Sequence, residues 1–437
     1  MTVYAVSTND AVIVVPGLLG SELWDARTGD LVWGLRPTAL AKALITGTVY
    51  ERLGSEDLVP GETLRYAGFL PGLGRLEPYS SLNTAMRDFV RSPEAFAVFP
   101  YDWRRSIASV AADLAEFAYN HLRRWRAHPL GSTGAQLVLV GHSMGGLVAQ
   151  HAANCLLPRE DTRLLLTLGT PFLGSVKAVR ALGTGDLLPF AHLAQNLRVA
   201  LGGMASVHAL LPSYPCLVDG DGTIRPSDQQ LIACGADAAL LAEATTSRAT
   251  ASAHVANHGE VPTVALVGST QPTLQSFEVT EAGLDFREHV GGTNWGGDGT
   301  VYFGSAFPKD TTPFSLPQRH GALAKSVEAI EWIKHTIAAV TLGPPQGLGV
   351  GLDVPDFAFA GEVFQVRVSA PGVGGATCRI DSATGGPSPG SVRMRRVGEE
   401  LIGESTVSHP GLYSVTARGG GSSPITEDLL VMPRRPG

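Results

Sequence analysis

Short apolar runs alternate with longer amphipathic ones over most of the chain. AVIVV (11–15), FAVFPY (96–101), QLVLVG (136–141), LLLTLG (164–169) and TVALVG (263–268) have strand length and are apolar nearly throughout. Parallel strands buried on both faces have this pattern. Between them IASVAADLAEFAYNHLRRW (107–125) and GLVAQHAANCLL (146–157) carry apolar residues at helical spacing, as does AKSVEAIEWIKHTIAAV (324–340) after the last run. Strand–helix alternation predicts an open, mostly parallel α/β sheet. Two stretches interrupt it. Residues 25–80 include the Gly/Pro-rich GFLPGLGRLEPY (68–79), and residues 175–258 are rich in Ala and Leu. Structureless loops of that length are uncommon inside a domain, so both read as folded cap or lid insertions over a site.

Past residue 340 the pattern changes. LGPPQGLGVG (342–351) reads as a linker. GEVFQVRVSA (361–370), SVRMRRV (391–397) and PGLYSVTARG (410–419) alternate apolar and polar residues between Gly/Pro/Ser clusters, the signature of a small antiparallel β-sandwich of immunoglobulin-like type. The expected organisation is one domain over 1–340, a linker over 341–352 and a β-sandwich over 353–437. The tail is expected to be a recognition or spacer element that can engage a protein partner. Its removal is then expected to spare chemistry on small molecules.

Composition narrows the classes. In 437 residues, 44% are hydrophobic and 17% charged, ample for large buried cores. A net charge of −7 with only short basic clusters (RRWR at 123–126, RMRR at 393–396) excludes nucleic acid as the main partner. The four cysteines, 155, 216, 234 and 378, have no CxxC or metal-ligand spacing. Free thiols are expected, with no disulfide framework, no metal and no cofactor. MTVYAVSTNDAVIVVPG lacks the basic-then-apolar order of a signal peptide, and no apolar run reaches the ~20 residues of a membrane span. The expectation is a cytoplasmic protein with peripheral membrane contact.

The chemistry centres on LVLVGHSMGG (137–146), where a strand runs into Gly-x-Ser-x-Gly and a helical pattern leaves it. Such a corner holds Ser143 at strained backbone angles and lifts its hydroxyl out of the sheet. A serine hydroxyl needs a base in reach, and the base an orienting carboxylate. GGDGTV (296–301) offers Asp298 and RHGAL (319–323) offers His320, in the order Ser, Asp, His. Asp219 and Asp221 in DGDGT (219–223) are alternatives for the acid, and His254, His258 and His289 for the base. The negative charge that builds on the carbonyl oxygen needs two backbone N–H donors. Met144, after the serine, and Leu18, on the turn in VVPGLLGSELW (14–24), are the candidates.

Taken in order, PGLLGSELW (16–24), YDWRR (101–105), GHSMGG (141–146), GTPFLGS (169–175), GGDGTV (296–301) and HGAL (320–323) resemble the lecithin:cholesterol acyltransferase-like family. That family also holds phospholipid:diacylglycerol acyltransferases and lysosomal phospholipase A2-type enzymes. The resemblance implies an α/β-hydrolase fold and a serine lipase or O-acyltransferase acting on lipid acyl esters, phospholipids in particular, at a membrane surface. By motif position Ser143, Asp298 and His320 form the triad, Leu18 and Met144 the oxyanion hole, and Asp102 and Arg104 a structural pair that holds loops. Trp24, Trp33, Phe69 and Leu70, with Leu187, Leu188 and Phe190, are candidates for substrate contact. The chain departs from the secreted members in having no cysteine before residue 155, and the β-sandwich tail lies outside the family pattern. Two other functions compete: a carboxylesterase for a soluble ester, and a silent hydrolase-fold scaffold.

Overall fold

The computed structural model describes residues 7–434 except 77, 184–187, 189, 310, 340–348 and 422. Leu187 and most of the expected linker lie outside the described residues.

The apolar runs assemble into one sheet of six strands: β1 Ala11–Val15, β2 Phe96–Val98, β3 Leu137–His142, β4 Thr162–Leu168, β5 Thr263–Gly268 and β6 Phe314–Leu316. Their order is β6-β5-β4-β3-β1-β2, and every neighbouring pair is parallel. All of β1 and β3 is buried, as expected where helices cover both faces. β6 had no sequence signal, because three residues between Pro313 and Pro317 show no periodicity.

Among the covering helices are α1 Ile107–Ala127, α2 Met144–Cys155, α3 Ala238–His258 and α4 Val327–Ile337. In α1 the buried residues Val110, Leu114, Ala118, Leu122 and Trp125 form one stripe, and Ser106 caps its N-terminus by accepting from the Ser109 N–H. α4 begins later than its pattern predicts, because His320–Ala324 forms a 3-10 turn and Ser326 then caps the helix.

Both insertions are folded. Residues 25–80 complete a three-stranded sheet (Ser21–Asp25, Leu31–Trp33, Leu58–Thr63), two short helices and the hairpin Gly68–Leu70/Gly74–Leu76. Residues 175–258 are mainly helical, ending in α3. The tail forms a four-stranded and a five-stranded sheet. In Val363–Ser369 alternate residues Phe364, Val366 and Val368 are buried, as period-two patterning requires.

The expected role of the tail as a spacer meets a contrary observation. Phe359, Leu412, Leu430 and Met432 belong to the same continuous apolar core as the six-stranded sheet. The Arg75 guanidinium donates to Asp428 and Ser414, and Arg319 donates to Glu427 and to the Leu352 carbonyl. The tail is thus packed against the first insertion and the segment preceding His320.

Candidate active site

The chain leaves β1 to form β2 on one side, and β3 then pairs on the other. The loops after β1 and β3 diverge at that point, and an open α/β sheet has its crevice there. Ser143 follows β3 directly, with φ at 54°. This left-handed conformation is uncommon for a residue with a Cβ. It is pinned from both sides: the Ser143 N–H donates to the Leu168 carbonyl (2.8 Å), and its own carbonyl accepts from Thr170 Oγ1 (3.0 Å).

Three side chains distant in sequence meet here. His320 Nε2 stands 2.7 Å from Ser143 Oγ, and His320 Nδ1 2.7 Å from Asp298 Oδ2. Asp298 is buried, and its other oxygen accepts the N–H groups of Thr300 (2.9 Å) and Val301 (2.7 Å). A carboxylate so placed accepts the Nδ1–H of His320 and leaves Nε2 bare toward the serine. The His320 N–H donates to the Asp298 carbonyl (2.9 Å), tying the two loops together. Gly169, at φ 58°, passes behind them; a Cβ there would lie 2.8 Å from Asp298 Oδ2 and 3.1 Å from His320 Nδ1.

The alternatives lie elsewhere. Asp219 and Asp221 are exposed in the turn region of a hairpin, His254 and His258 stack on each other along α3 at 4.2 Å, and His289 is exposed.

Leu18 and Leu19 both line the cavity around Ser143, and Met144 opens α2. The N–H groups of Leu18 and Met144 make no hydrogen bond among the described residues. The Leu19 backbone is itself in the left-handed region, at φ 67°.

Four residues suggested as substrate contacts stand in other roles, none lining that cavity. Trp33 is fully buried, packs edge-on against Trp103, and donates its indole N–H to the Leu19 carbonyl at 2.8 Å. Phe69 and Leu70 are buried in the core. Trp24 is half-exposed and donates to Glu22. Large apolar side chains in an insertion fill that insertion's own core first. Leu188 is buried, and Phe190 meets Phe359 of the tail edge-on. Arg104 grips Asp102 with two N–H groups and donates to the Leu53 and Ser55 carbonyls, anchoring a loop of the first insertion.

Sequence reasoning missed a buried chain of hydrogen bonds beneath the site. The Gly17 N–H donates to the Tyr79 oxygen (2.8 Å), which lies 2.6 Å from His142 Nδ1, and His142 Nε2 lies 2.9 Å from the His320 carbonyl. A carbonyl only accepts, so Nε2 carries the proton and Nδ1 accepts from the Tyr79 hydroxyl. Burial, and then the neighbouring His320, push the His142 pKa down to about 3, so the ring is neutral. Burial raises the Tyr79 phenol. The position of His142 immediately before the serine was the one available signal; Tyr79 gave none.

The cavity that holds Ser143 and His320 is small, about 50 Å³, and walled by Leu18, Leu19, Leu73 and Leu76 among others. A second cavity, about 260 Å³, shares Arg75, Lys177, Thr300 and His320 with it. A larger, apolar one of about 390 Å³ lies between α2 and α3 and does not reach Ser143. Among the described residues no cluster of three His, Cys, Asp or Glu side chains is placed to hold a metal ion.

A parallel sheet with a serine on the strand–helix corner at its switch point defines an α/β-hydrolase. Residues 74–288 match the lecithin:cholesterol acyltransferase family. Over that span, just under half of its length, the chain is similar to this family of lipid-ester hydrolases and acyltransferases. The matched span contains Ser143 and ends before Asp298 and His320. Solved structures with similarity include the Tle4–Tli4 complex, at 15% identity and TM-score 0.49 over 75% of this chain and 96% of that one. The mature lipase BlEst2 of Bacillus licheniformis is 13% identical, with TM-score 0.37 over 75% and 91%. The phospholipase PlaB of Legionella pneumophila is 9% identical, with TM-score 0.32 over 97% and 93%. No curated protein matches the chain.

Proposed function

We propose that the protein cleaves or transfers the acyl group of a lipid ester through a covalent Ser143 acyl-enzyme. The observation that carries this reading is the pair of 2.7 Å contacts linking Ser143 to His320 and His320 to Asp298. Ser143 Oγ attacks the ester carbonyl carbon while His320 Nε2 takes its proton. Asp298 holds the ring in the required tautomer and stabilises the imidazolium. The N–H groups of Leu18 and Met144 receive the oxyanion. His320 returns the proton to the departing alcohol, and water or a second alcohol then accepts the acyl group. Apolar walls from Leu73 and Leu76 suit an acyl chain. The small volume around Ser143 requires the Gly68–Leu76 hairpin to move aside for a long chain. The same small volume favours, as a second reading, a short soluble ester. Among the described residues no helix is long and apolar enough to cross a membrane, so in this reading a lipid is met at its surface.

The test is product analysis with diacylphospholipid vesicles, with and without a sterol or diacylglycerol acceptor, set against p-nitrophenyl butyrate. Fatty acid or a new acyl ester is expected from the vesicles, and Ser143→Ala abolishes it. Butyrate turnover without vesicle turnover establishes the soluble ester. Ser143→Ala retaining full turnover of either substrate refutes the acyl-enzyme.

A further inference from the structure

A surface helix ordinarily buries a stripe along its inner face. α3 runs for 21 residues, yet among the described residues Leu241 is the one it buries. Its inner stripe instead lines the cavity of about 390 Å³, in steps of three and four residues through Leu240, Ala244, Arg248, Ala251 and Val255. That is about 22 Å of helix. The small side chains of ATTSRATASA (244–253) leave the space open, and its volume is that of a small-molecule site. Phe172 and Ala209 line it, whereas their neighbours Pro171 and Leu210 line the cavity of Ser143. The two cavities thus share a wall.

The cavity has two unlike ends. His208 Nε2 accepts from the Asp237 N–H at the cap of α3, which places the helix Ala205–Ala209 beside the start of α3. The Ser206 N–H donates to the Arg104 carbonyl, which brings the start of α1 there as well. This end is lined by Ile107, Ala205, Leu240 and Ala244. At the other end Gln150 donates to Glu260 (3.1 Å), and Asn154 accepts from the Val261 N–H (2.8 Å). Here the lining is Gln150, His151, Asn154 and Glu260. An apolar end facing a polar one suits an amphiphile.

Arg248 stands between the ends. Its Nη2 donates to the Ala209 and Leu211 carbonyls (3.0 and 3.4 Å), which fixes the plane of the guanidinium. Its Nε and Nη1 make no hydrogen bond, and no carboxylate ion-pairs with it, among the described residues. Behind it Arg225 and Asp228 oppose each other in charge. Counted whole, the lining is balanced: Arg248 and the exposed Lys309 against Glu260 and the exposed Glu243. Burial, and then His254, hold His151 below its usual range, so it adds no charge. Glu260 is engaged by Gln150, and Glu243 lies five residues from Arg248, about 140° away around the helix. The selective feature is therefore one partly desolvated fork of donors, and a guanidinium fork matches a carboxylate in shape.

We propose that this cavity is a second ligand site, apart from the reacting centre, for a medium-chain aliphatic carboxylate, with its chain along Leu240 and Ala244 and its carboxylate on Arg248 Nε and Nη1. The proposal stands without the acyl-transfer reading, since Ser143 is not in its lining.

The test is calorimetric titration with octanoate and with 1-octanol, which share a chain and differ in the head. Octanoate is expected to bind one per chain, at least about tenfold more tightly than the alcohol, the scale of a charge-assisted hydrogen bond. Arg248→Met removes that preference. Ala244→Trp fills the apolar end and weakens both ligands by about tenfold or more, and p-nitrophenyl butyrate turnover changes by less than about twofold in either variant. No saturable octanoate binding, an alcohol that binds as tightly as the acid, or affinities unchanged by Ala244→Trp would each overturn the proposal. So would octanoate competing with p-nitrophenyl butyrate at the concentration at which it binds, which would place it at Ser143. A dimer that Ala244→Trp dissociates would assign the groove to a second copy of the chain and overturn it as well. Should Arg248→Met fail to fold, the acid-to-alcohol ratio and the competition assay in wild type still decide. Fluorophosphonate labelling of Ser143 reads the acyl chemistry separately, so either reading can fail alone.

Discussion

His142 makes a sharp prediction about acid. In the fold its pKa is pushed down to about 3 from an ordinary 6.5, because the ring is buried and lies beside His320, which outweighs the opposing bond from Nε2 to the His320 carbonyl; its Nδ1 meanwhile accepts from Tyr79. The unfolded chain binds this proton near pH 6.5, while the folded one does not until about pH 3. Between those values the unfolded state carries the extra proton, so stability rises with pH. The contribution is fully present above about pH 6.5 and is lost as pH falls, at roughly 1.4 kcal/mol per pH unit. At pH 5 that is a loss of about 2 kcal/mol. His142→Gln keeps an acceptor and a donor on the side chain and removes the titration. Urea midpoints measured from pH 8 to pH 5 should fall steeply in wild type and more gently in the variant, by about 2 kcal/mol of differential stability. The variant starts from a lower stability at pH 8, since its geometry is poorer; only the slope is diagnostic. Parallel slopes would refute the buried neutral imidazole and the hydrogen-bond chain built on it.

Other predictions follow from the same geometry. Asp298→Asn leaves the loop's shape and removes the charge that fixes the His320 tautomer; kcat for p-nitrophenyl butyrate should drop by about 10⁴, with a modest change in KM. Gly169→Ala places a methyl against Asp298 and His320 at a positive φ, so steady-state kcat should fall at least about tenfold and the melting temperature should drop. An unchanged kcat would show that the packing there is looser than described. Deleting residues 342–437 strips Phe359, Leu412, Leu430 and Met432 from the shared core, each worth roughly 1.5–3 kcal/mol. Small-ester and lipid turnover should be lost together with soluble yield, whereas a soluble, fully active truncation would restore the spacer role.

The sheet was legible wherever burial on both faces demanded unbroken apolar runs, as in AVIVV and LVLV. β6 was not, since parallel pairing with β5 supplies what three residues between prolines cannot signal. The order Ser143, Asp298, His320 was readable because strand–turn–helix geometry constrains the residues beside it. The support beneath it was not: Tyr79 reaches Gly17 across 62 residues and His142 across 63, and pairing at that distance leaves no local pattern. The same holds for Arg319 with Glu427, 108 residues apart, through which the tail braces the segment before His320. Trp33, Phe69 and Leu70 were suggested as lipid contacts on hydrophobicity alone, which does not distinguish a wall from a core. Trp33 instead supports the turn behind Ser143, through the Leu19 carbonyl.

The claim on which the rest depends is that Ser143 is an activated nucleophile. Intact-mass spectrometry after exposure to a fluorophosphonate, followed by peptide mapping, tests it directly. The account predicts one stoichiometric adduct on the peptide that carries Ser143, absent in Ser143→Ala and strongly slowed in a folded His320→Ala variant. A folded wild-type protein that takes up no adduct, or an adduct that persists in Ser143→Ala, would contradict it.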